Sequence, residues 1–110
     1  MATAYKVLGQ SAPANTSNAD LYTVPSSTSA VISTIHICNT TATAATFRIF
    51  IRKAGATAAA SNALCYDMTI NGKSVYAFTE GITLATTDVI TVQTGTANAL
   101  TFQAFGSEIV

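Results

Sequence analysis

Charge is the scarcest feature of this chain. Only 9% of its 110 residues are charged, and five basic and five acidic residues give a net charge of zero. Typical soluble domains carry about 25% charged residues. A nucleic-acid-binding protein needs a basic footprint, so this class of partner is excluded. An anionic membrane surface is disfavoured for the same reason.

Residues that usually carry catalysis are also few. The chain has one histidine, His36, so its many serines and threonines lack bases that would activate them as nucleophiles. There is no GxSxG motif and no phosphate-cradling glycine loop. The five carboxylates are explained by turn capping and solvation rather than by a catalytic pair. We therefore expect no enzymatic activity.

Metal ligands are equally sparse. Cys38 lies two positions after His36 and hence on the same strand face, and Cys65 is the second cysteine. The spacing of these three residues matches no zinc finger, so we expect neither a metal nor a cofactor. We expect His36 to be a polar residue on an outer sheet face, opposite Arg48. We expect two free, largely buried thiols, with a disulfide as the alternative.

Long hydrophobic runs and targeting signals are missing as well. No stretch approaches the roughly 18 consecutive apolar residues of a spanning helix. The start, MATAYKVLGQ, has neither the charged nor the apolar region of a secretory signal, which points to assembly in a cytoplasm. The sequon Asn39-Thr40-Thr41 is then best explained as chance in a threonine-rich chain.

The strongest pattern that is present lies in residues 30–53. Apolar and polar residues alternate there with the period of two typical of strands buried on one face. If this stretch is a hairpin turning near Ala42, Ile37 lies opposite Phe47, and Ile35 lies opposite Ile49. One face is then apolar, with Val31 and Ser33 continuing it. The other face carries His36, Arg48, Phe50 and Arg52.

The remaining chain reads as further short strands separated by turn residues. In residues 63–70 the side chains of Leu64, Tyr66, Met68 and Ile70 share one face, and Asn71-Gly72 predicts a type I′ hairpin to residues 74–79. About eight strands follow one another at the spacing of a sandwich or barrel, and no useful helical stretch appears. We predict one all-β domain, residues 1–110, folded as an antiparallel two-sheet β-sandwich, jelly-roll-like.

Low charge with abundant threonine, serine and alanine suits a surface covered by neighbouring molecules, because no charge is stripped of water on assembly. Arginine and aromatic residues concentrate at interface cores. We therefore predict His36, Arg48, Phe50 and Arg52 as a possible protein interface, with a solvated sheet face as the alternative.

The overall pattern of the chain resembles a group of small structural proteins of tailed bacteriophages, cyanophages among them. Four stretches carry this resemblance: YKVLGQSAP (5–13), LYTVPSSTSAVISTIHICNTTATAATFRIFIR (21–52), GITLATTDVITVQT (81–94) and LTFQAFGSEIV (100–110). It implies a virion component without catalytic activity, present in many copies and bound to other capsid or tail proteins. It identifies no functional residue.

The expected function is thus that of a virion structural protein assembled in the host cytoplasm, a homo-oligomer that decorates the head. A tail, baseplate or fibre-attachment position is the first alternative. The second is a receptor- or carbohydrate-binding sandwich, which needs an exposed groove with aromatic and amide or acidic residues. The absence of tryptophan weakens that alternative.

Overall fold

Alternating apolar and polar residues give nine strands, which form two antiparallel sheets packed face to face in this computed structural model of residues 2–110. The strands are β1 (Thr3–Ser11), β2 (Ala19–Thr23), β3 (Ser29–Asn39), β4 (Ala45–Arg52), β5 (Ala63–Ile70), β6 (Val75–Phe78), β7 (Ile82–Leu84), β8 (Val89–Thr94) and β9 (Leu100–Ile109). Two single 3₁₀ turns, Lys53–Gly55 and Ala60–Asn62, precede β5. The predicted all-β sandwich is confirmed.

The strands pair as a long antiparallel ribbon that has been rolled up. Along the ribbon, β4 pairs with β5, β3 with β6, β2 with β8 and β1 with β9. Rolling then places β9 beside β3 and β8 beside β4. Sheet A therefore has the order β1-β9-β3-β6, with β7 also on β3, and sheet B has the order β2-β8-β4-β5. This double-sheet arrangement is the jelly roll that the sequence predicts.

The core lies between the inner faces of the two sheets. Ile35, Ile37 and Phe102 of sheet A meet Phe47 and Ile49 of sheet B in one buried cluster. The rings of Phe47 and Phe102 pack edge to face with centroids 6.3 Å apart. Full burial of each such side chain contributes about 1.5–3 kcal/mol, so this layer supplies much of the driving force for folding.

The predicted hairpin between residues 30–38 and 46–53 is wrong. β3 lies in sheet A and β4 lies in sheet B, so Ile37 is not paired with Phe47, nor Ile35 with Ile49. The alternating pattern shows which face of each strand is buried but not which strand lies beside it. Ile35, Ile37, Phe47 and Ile49 are buried as expected, because the two strands face one another across the core.

Asn39 fixes the crossover from β3 to β4. Its side chain is fully buried and donates through Nδ2 to the carbonyl oxygens of Thr43 and Ile70, at 2.9 and 3.2 Å. Its Oδ1 accepts from the Thr41 backbone N–H at 3.0 Å and from the Thr41 hydroxyl at 2.8 Å. The amide of this sequon is therefore committed to folding the loop, and no glycan can be attached to it in the folded state.

The predicted Asn71-Gly72 hairpin is also wrong, because β5 and β6 belong to different sheets. The residue with positive φ in this loop is Lys73, at 55°, so the turn is not of type I′. Gly72 is needed for a different reason: a Cβ at this position would collide with the backbone of Ala42 in the other crossover loop. The two crossovers pack together, and the Lys73 N–H donates to the Thr41 carbonyl at 2.8 Å.

A bulge in β5 breaks the predicted face of residues 63–70. Asp67 has φ of 54°, and the register with β4 shifts between Phe47 and Ile49. This extra residue reverses the alternation, so that Cys65 faces the core while Tyr66 is exposed. Met68 and Ile70 face inward as predicted, but Tyr66 does not.

A second bulge, at Ser33, changes the inner face of β3. The register with β9 shifts between Ile32 and Thr34, and the Ser33 hydroxyl donates to the Phe105 carbonyl at 3.0 Å. Ile32 is therefore buried, whereas Val31, predicted on the inner face, is only half-buried on the outer one. Gly106 permits this close approach, since a Cβ there would collide with the Val31 carbonyl oxygen.

Candidate functional site

The four residues predicted as an interface do not share one surface. Arg48, Phe50 and Arg52 form a stripe on the outer face of sheet B. They alternate with Ile49, which is in the core, and Ile51, which is partly buried and packs against it. His36 lies on the outer face of sheet A, beside Gln103 of β9 and Ala77 of β6. The expected position of His36 opposite Arg48 is therefore wrong, because the two residues point away from opposite sides of the sandwich.

Arg52 ties the edge of sheet B to the loop after β4. Its guanidinium donates to the carbonyl oxygens of Ala56, at 2.7 Å, and Gly55, at 3.0 Å. It also donates to Asp20 Oδ1 at 3.2 Å and to the buried Thr91 hydroxyl at 3.1 Å. Every one of these partners belongs to this chain, so Arg52 works mainly as an internal brace.

Arg48 is also engaged within the chain. It donates to both carboxylate oxygens of Asp67, at 2.7 and 3.0 Å, and its guanidinium carbon lies 3.9 Å from the centre of the Tyr66 ring. Bidentate pairing and cation–π contact hold the side chain in one orientation. The hydrogen bonds from Arg48 lower the pKa of the Asp67 carboxyl.

Phe50 forms the floor of a groove on the outer face of sheet B. Only 3% of it is exposed, and its ring meets that of Tyr66 edge to face, with centroids 6.3 Å apart. Residues 58–60 and 16–18 line the groove, which has a volume of about 450 Å³. Gln93 crosses it and donates to the Thr16 carbonyl at 2.7 Å. Phe50 is thus covered by loops of its own chain.

The outer face of sheet A differs sharply, because no aspartate, glutamate, lysine or arginine of residues 2–110 lies on it. We call it the uncharged face, and its members are Tyr5, Val7, Gln10, Val31, Thr34, His36, Cys38, Thr101, Gln103, Phe105 and Ser107. Tyr5 is 85% exposed and Val7 is 51% exposed. No local sequence pattern reveals this face, since its members come from three strands that are far apart in the chain.

The charged residues of β1 and β9 lie on the opposite, inner side of sheet A. Glu108 is buried and accepts a hydrogen bond from the Tyr22 hydroxyl of sheet B, while Lys6 Nζ lies 2.6 Å from its other oxygen. The hydrogen bonds from Lys6 and Tyr22 lower the pKa of Glu108. Burial, with a contribution from Glu108, raises the pKa of Tyr22. This cluster joins the two sheets.

The cysteines are both free and lie in different sheets. Cys38 is half-buried on the uncharged face, whereas Cys65 is buried on the inner side of sheet B, where burial raises its pKa to about 12. His36 and Cys38 share a strand face as predicted, but Cys65 does not approach them. Within the described residues, no group of three or more histidine, cysteine or carboxylate side chains is placed to hold a metal ion.

Across residues 2–110, no helix has the length and apolar character needed to cross a membrane. The comparisons with known proteins found no matching family model, no matching curated protein and no matching solved structure.

Proposed function

We propose that this protein is a non-enzymatic structural component of a tailed-bacteriophage particle, which binds the head in many copies as a decoration protein. The observation that carries the proposal is the uncharged face of sheet A. It offers hydroxyl, amide and apolar groups, and it can be covered by another protein without removing any formal charge from water. A surface of this kind suits a protein that functions by being packed against its neighbours.

The size of the uncharged face supports this role. Strands of nine to eleven residues make it roughly 30 Å long, and its strands span about 15–20 Å, so its projected area is on the order of 500 Å². A standard protein–protein interface buries about 800 Å² of accessible surface on each partner. The face is thus of the right order for one specific contact.

The architecture supports the proposal by analogy. Jelly rolls recur in viral capsid proteins and in lectins, although a fold alone does not determine a function. The described residues measure 45 × 27 × 22 Å and include no long fibre-like extension, which favours the head over a tail, baseplate or fibre-attachment position. The other virion proteins on the particle surface are the proposed partners.

The location in the particle tests the proposal. Mass spectrometry of purified particles of the phage that encodes the chain should detect it in many copies, and labelled antibody should decorate heads in electron micrographs. Label confined to the tail would instead support the alternative, a tail, baseplate or fibre-attachment position. Absence of the chain from intact particles would refute a virion role.

A charge placed on the uncharged face tests the mode of binding. Ser107→Glu should weaken binding to particles depleted of the protein at least tenfold, because a carboxylate would have to be desolvated at the contact. Thr69→Glu is the matched control, since Thr69 is exposed on β5 of sheet B. Equal binding by the two variants would show that the uncharged face is not the surface used.

The groove on sheet B favours carbohydrate binding as a second candidate function. Tyr66, which is 49% exposed, and the side-chain amide of Gln93 line it together with Arg48. Specific hits on a glycan array should disappear in Tyr66→Ala and persist in Tyr5→Ala, which removes an exposed tyrosine from the opposite face. No hits, or hits that both variants retain, would eliminate this candidate.

A further inference from the structure

The first half of β1 is an open sheet edge. Ala2 and Val110 exchange backbone hydrogen bonds of 3.1 and 2.8 Å at the start of the ladder. In an antiparallel pair these hydrogen-bonded positions alternate, so Ala4 and Lys6 also face β9. The N–H and C=O groups of Thr3, Tyr5 and Val7 therefore point away from the sheet, and all of residues 3–7 are exposed.

This edge lacks the protection that the other edges have. On sheet B, β2 and β5 each contain a register shift, and on sheet A, β6 and β7 have only four and three residues. Native proteins shield edges with bulges, short strands and charges. In β1 the register shift comes only after Val7. The single charged residue of this strand, Lys6, forms an ion pair with Glu108, in which Lys6 Nζ lies 2.6 Å from Glu108 Oε1.

Further along the chain, β1 is covered by its own sandwich. At Gly9 the backbone comes so close to the Leu21 carbonyl oxygen of β2 that a Cβ would collide with it. The open edge is thus limited to residues 3–7, a segment of about 17 Å. Only another extended chain can satisfy its outward N–H and C=O groups in register.

We propose that β1 pairs with β1 of a second copy, antiparallel, about a two-fold axis at Tyr5. Tyr5 then faces the partner's Tyr5, and Thr3 faces the partner's Val7, with about six new backbone hydrogen bonds. The two copies of sheet A become one continuous sheet, and the two uncharged faces become one surface. The contact is isologous and therefore closed.

The side chains of the edge favour a second copy as the occupant. Thr3, Tyr5 and Val7 are uncharged, so the same segment meets itself without repulsion. Lys6 would face the partner's Ala4 rather than the partner's Lys6, which keeps like charges out of direct opposition. A five-residue strip is far smaller than the roughly 800 Å² per partner of a stable dimer, so we expect weak, micromolar to millimolar association in solution.

Sedimentation of the purified chain over that concentration range tests the pairing. Tyr5→Pro removes an outward N–H that β9 does not use, so the variant should keep its fold and lose at least tenfold in self-association. Tyr5→Ala keeps the N–H and should lose less. A chain that stays monomeric, or a dimer that survives Tyr5→Pro, would overturn the proposal. Because no particle is involved, this result is independent of the proposed virion role.

Cross-linking tests the register. In a Cys38→Ser background, Tyr5→Cys should form a disulfide-linked dimer on mild oxidation, since directly paired Cα atoms lie about 5.5 Å apart. Thr3→Cys should not, because the two copies of residue 3 would be about 13 Å apart along the strands. Thr3→Cys combined with Val7→Cys should restore the cross-link. Equal yields from Tyr5→Cys and Thr3→Cys would contradict the two-fold axis.

Discussion

The two outer faces of the sandwich use their side chains in opposite ways. On sheet B, the arginine stripe is paired with Asp20 and Asp67, and loops cover Phe50. On sheet A, the uncharged face carries Phe105, which is half-buried, and Tyr5, which is 85% exposed. One face is largely covered by its own chain, whereas the other leaves Tyr5 and Val7 exposed.

This difference shows how little an arginine-rich stripe says about partners when it is taken alone. Arg48 and Arg52 have their hydrogen bonds satisfied within the chain, so a partner that used them would first have to displace Asp67 or Asp20. On the uncharged face, Gln10 Nε2 donates to Gln103 Oε1 at 2.8 Å, whereas Tyr5 is 85% exposed. The surface with fewer conspicuous residues is the better candidate for contact.

The largest expected effect comes from removing one phenylalanine ring from each face. Phe50→Ala should lower the free energy of unfolding by about 3–4 kcal/mol, because the ring is buried beneath loops. Phe105→Ala should cost less than about 1.5 kcal/mol, because Phe105 is only half-buried. Urea denaturation of both variants measures the difference. Equal losses would mean that the two faces are covered to the same extent.

A smaller difference is expected when the pH is lowered, between the contributions that the carboxylates of the two sheets make to stability. The pKa of Glu108 is lowered in the folded state, so its contribution to stability is present above the unfolded value of 4.5 and is lost as the pH falls through the folded pKa. Glu108→Gln should be less stable at neutral pH and lose less stability on acidification. Asp67→Asn should change this pH dependence less, because Asp67 is exposed and its ion pair is screened by solvent.

Urea midpoints measured from neutral pH down to about pH 2 test this difference. Asparagine tolerates the positive φ of Asp67, so the Asp67→Asn variant should not add backbone strain. A larger change in acid sensitivity for Asp67→Asn than for Glu108→Gln would contradict this prediction. It would show that Asp67 contributes more than Glu108 to the pH dependence of stability.

The smallest perturbation is modification of the thiols. Cys38 on the uncharged face should react with a chromogenic thiol reagent in the native protein, whereas Cys65 should react only after unfolding. Burial raises the pKa of Cys65 to about 12 and so removes its reactive thiolate at neutral pH. The Cys38→Ser variant should show no reactive thiol while it is folded. Rapid reaction of Cys65 would mean that the inner side of sheet B is open to solvent.

The alternation of apolar and polar residues predicted the positions of the strands well, but it predicted poorly which strands lie beside one another. The strand at residues 63–70 begins and ends where the sequence places it, and the buried faces of Phe47 and Ile49 follow from alternation. The hairpin predictions failed because turn residues such as Asn71-Gly72 also suit crossovers between sheets. The bulges at Ser33 and Asp67 have no strong local signal, so the faces of β3 and β5 were partly misassigned.

For the candidate site, the sequence identified the stripe of Arg48, Phe50 and Arg52 but not what surrounds it. Asp20 lies 32 positions from Arg52, and Asp67 lies 19 positions from Arg48, so neither ion pair is visible in a local pattern. The uncharged face is a property of three strands brought together by the rolled ribbon. A single sequence gives no direct view of such a long-range arrangement.

The position of β9 between β1 and β3 governs the order of events during translation. All four strands of sheet B have left the ribosome once residue 94 has emerged, whereas sheet A lacks its central strand until residues 100–109 follow. Until then, β1 lacks the strand it pairs with, and only β3, β6 and β7 of sheet A can cover the apolar side of sheet B. Nascent chains are therefore expected to be most exposed to aggregation before residues 100–109 emerge.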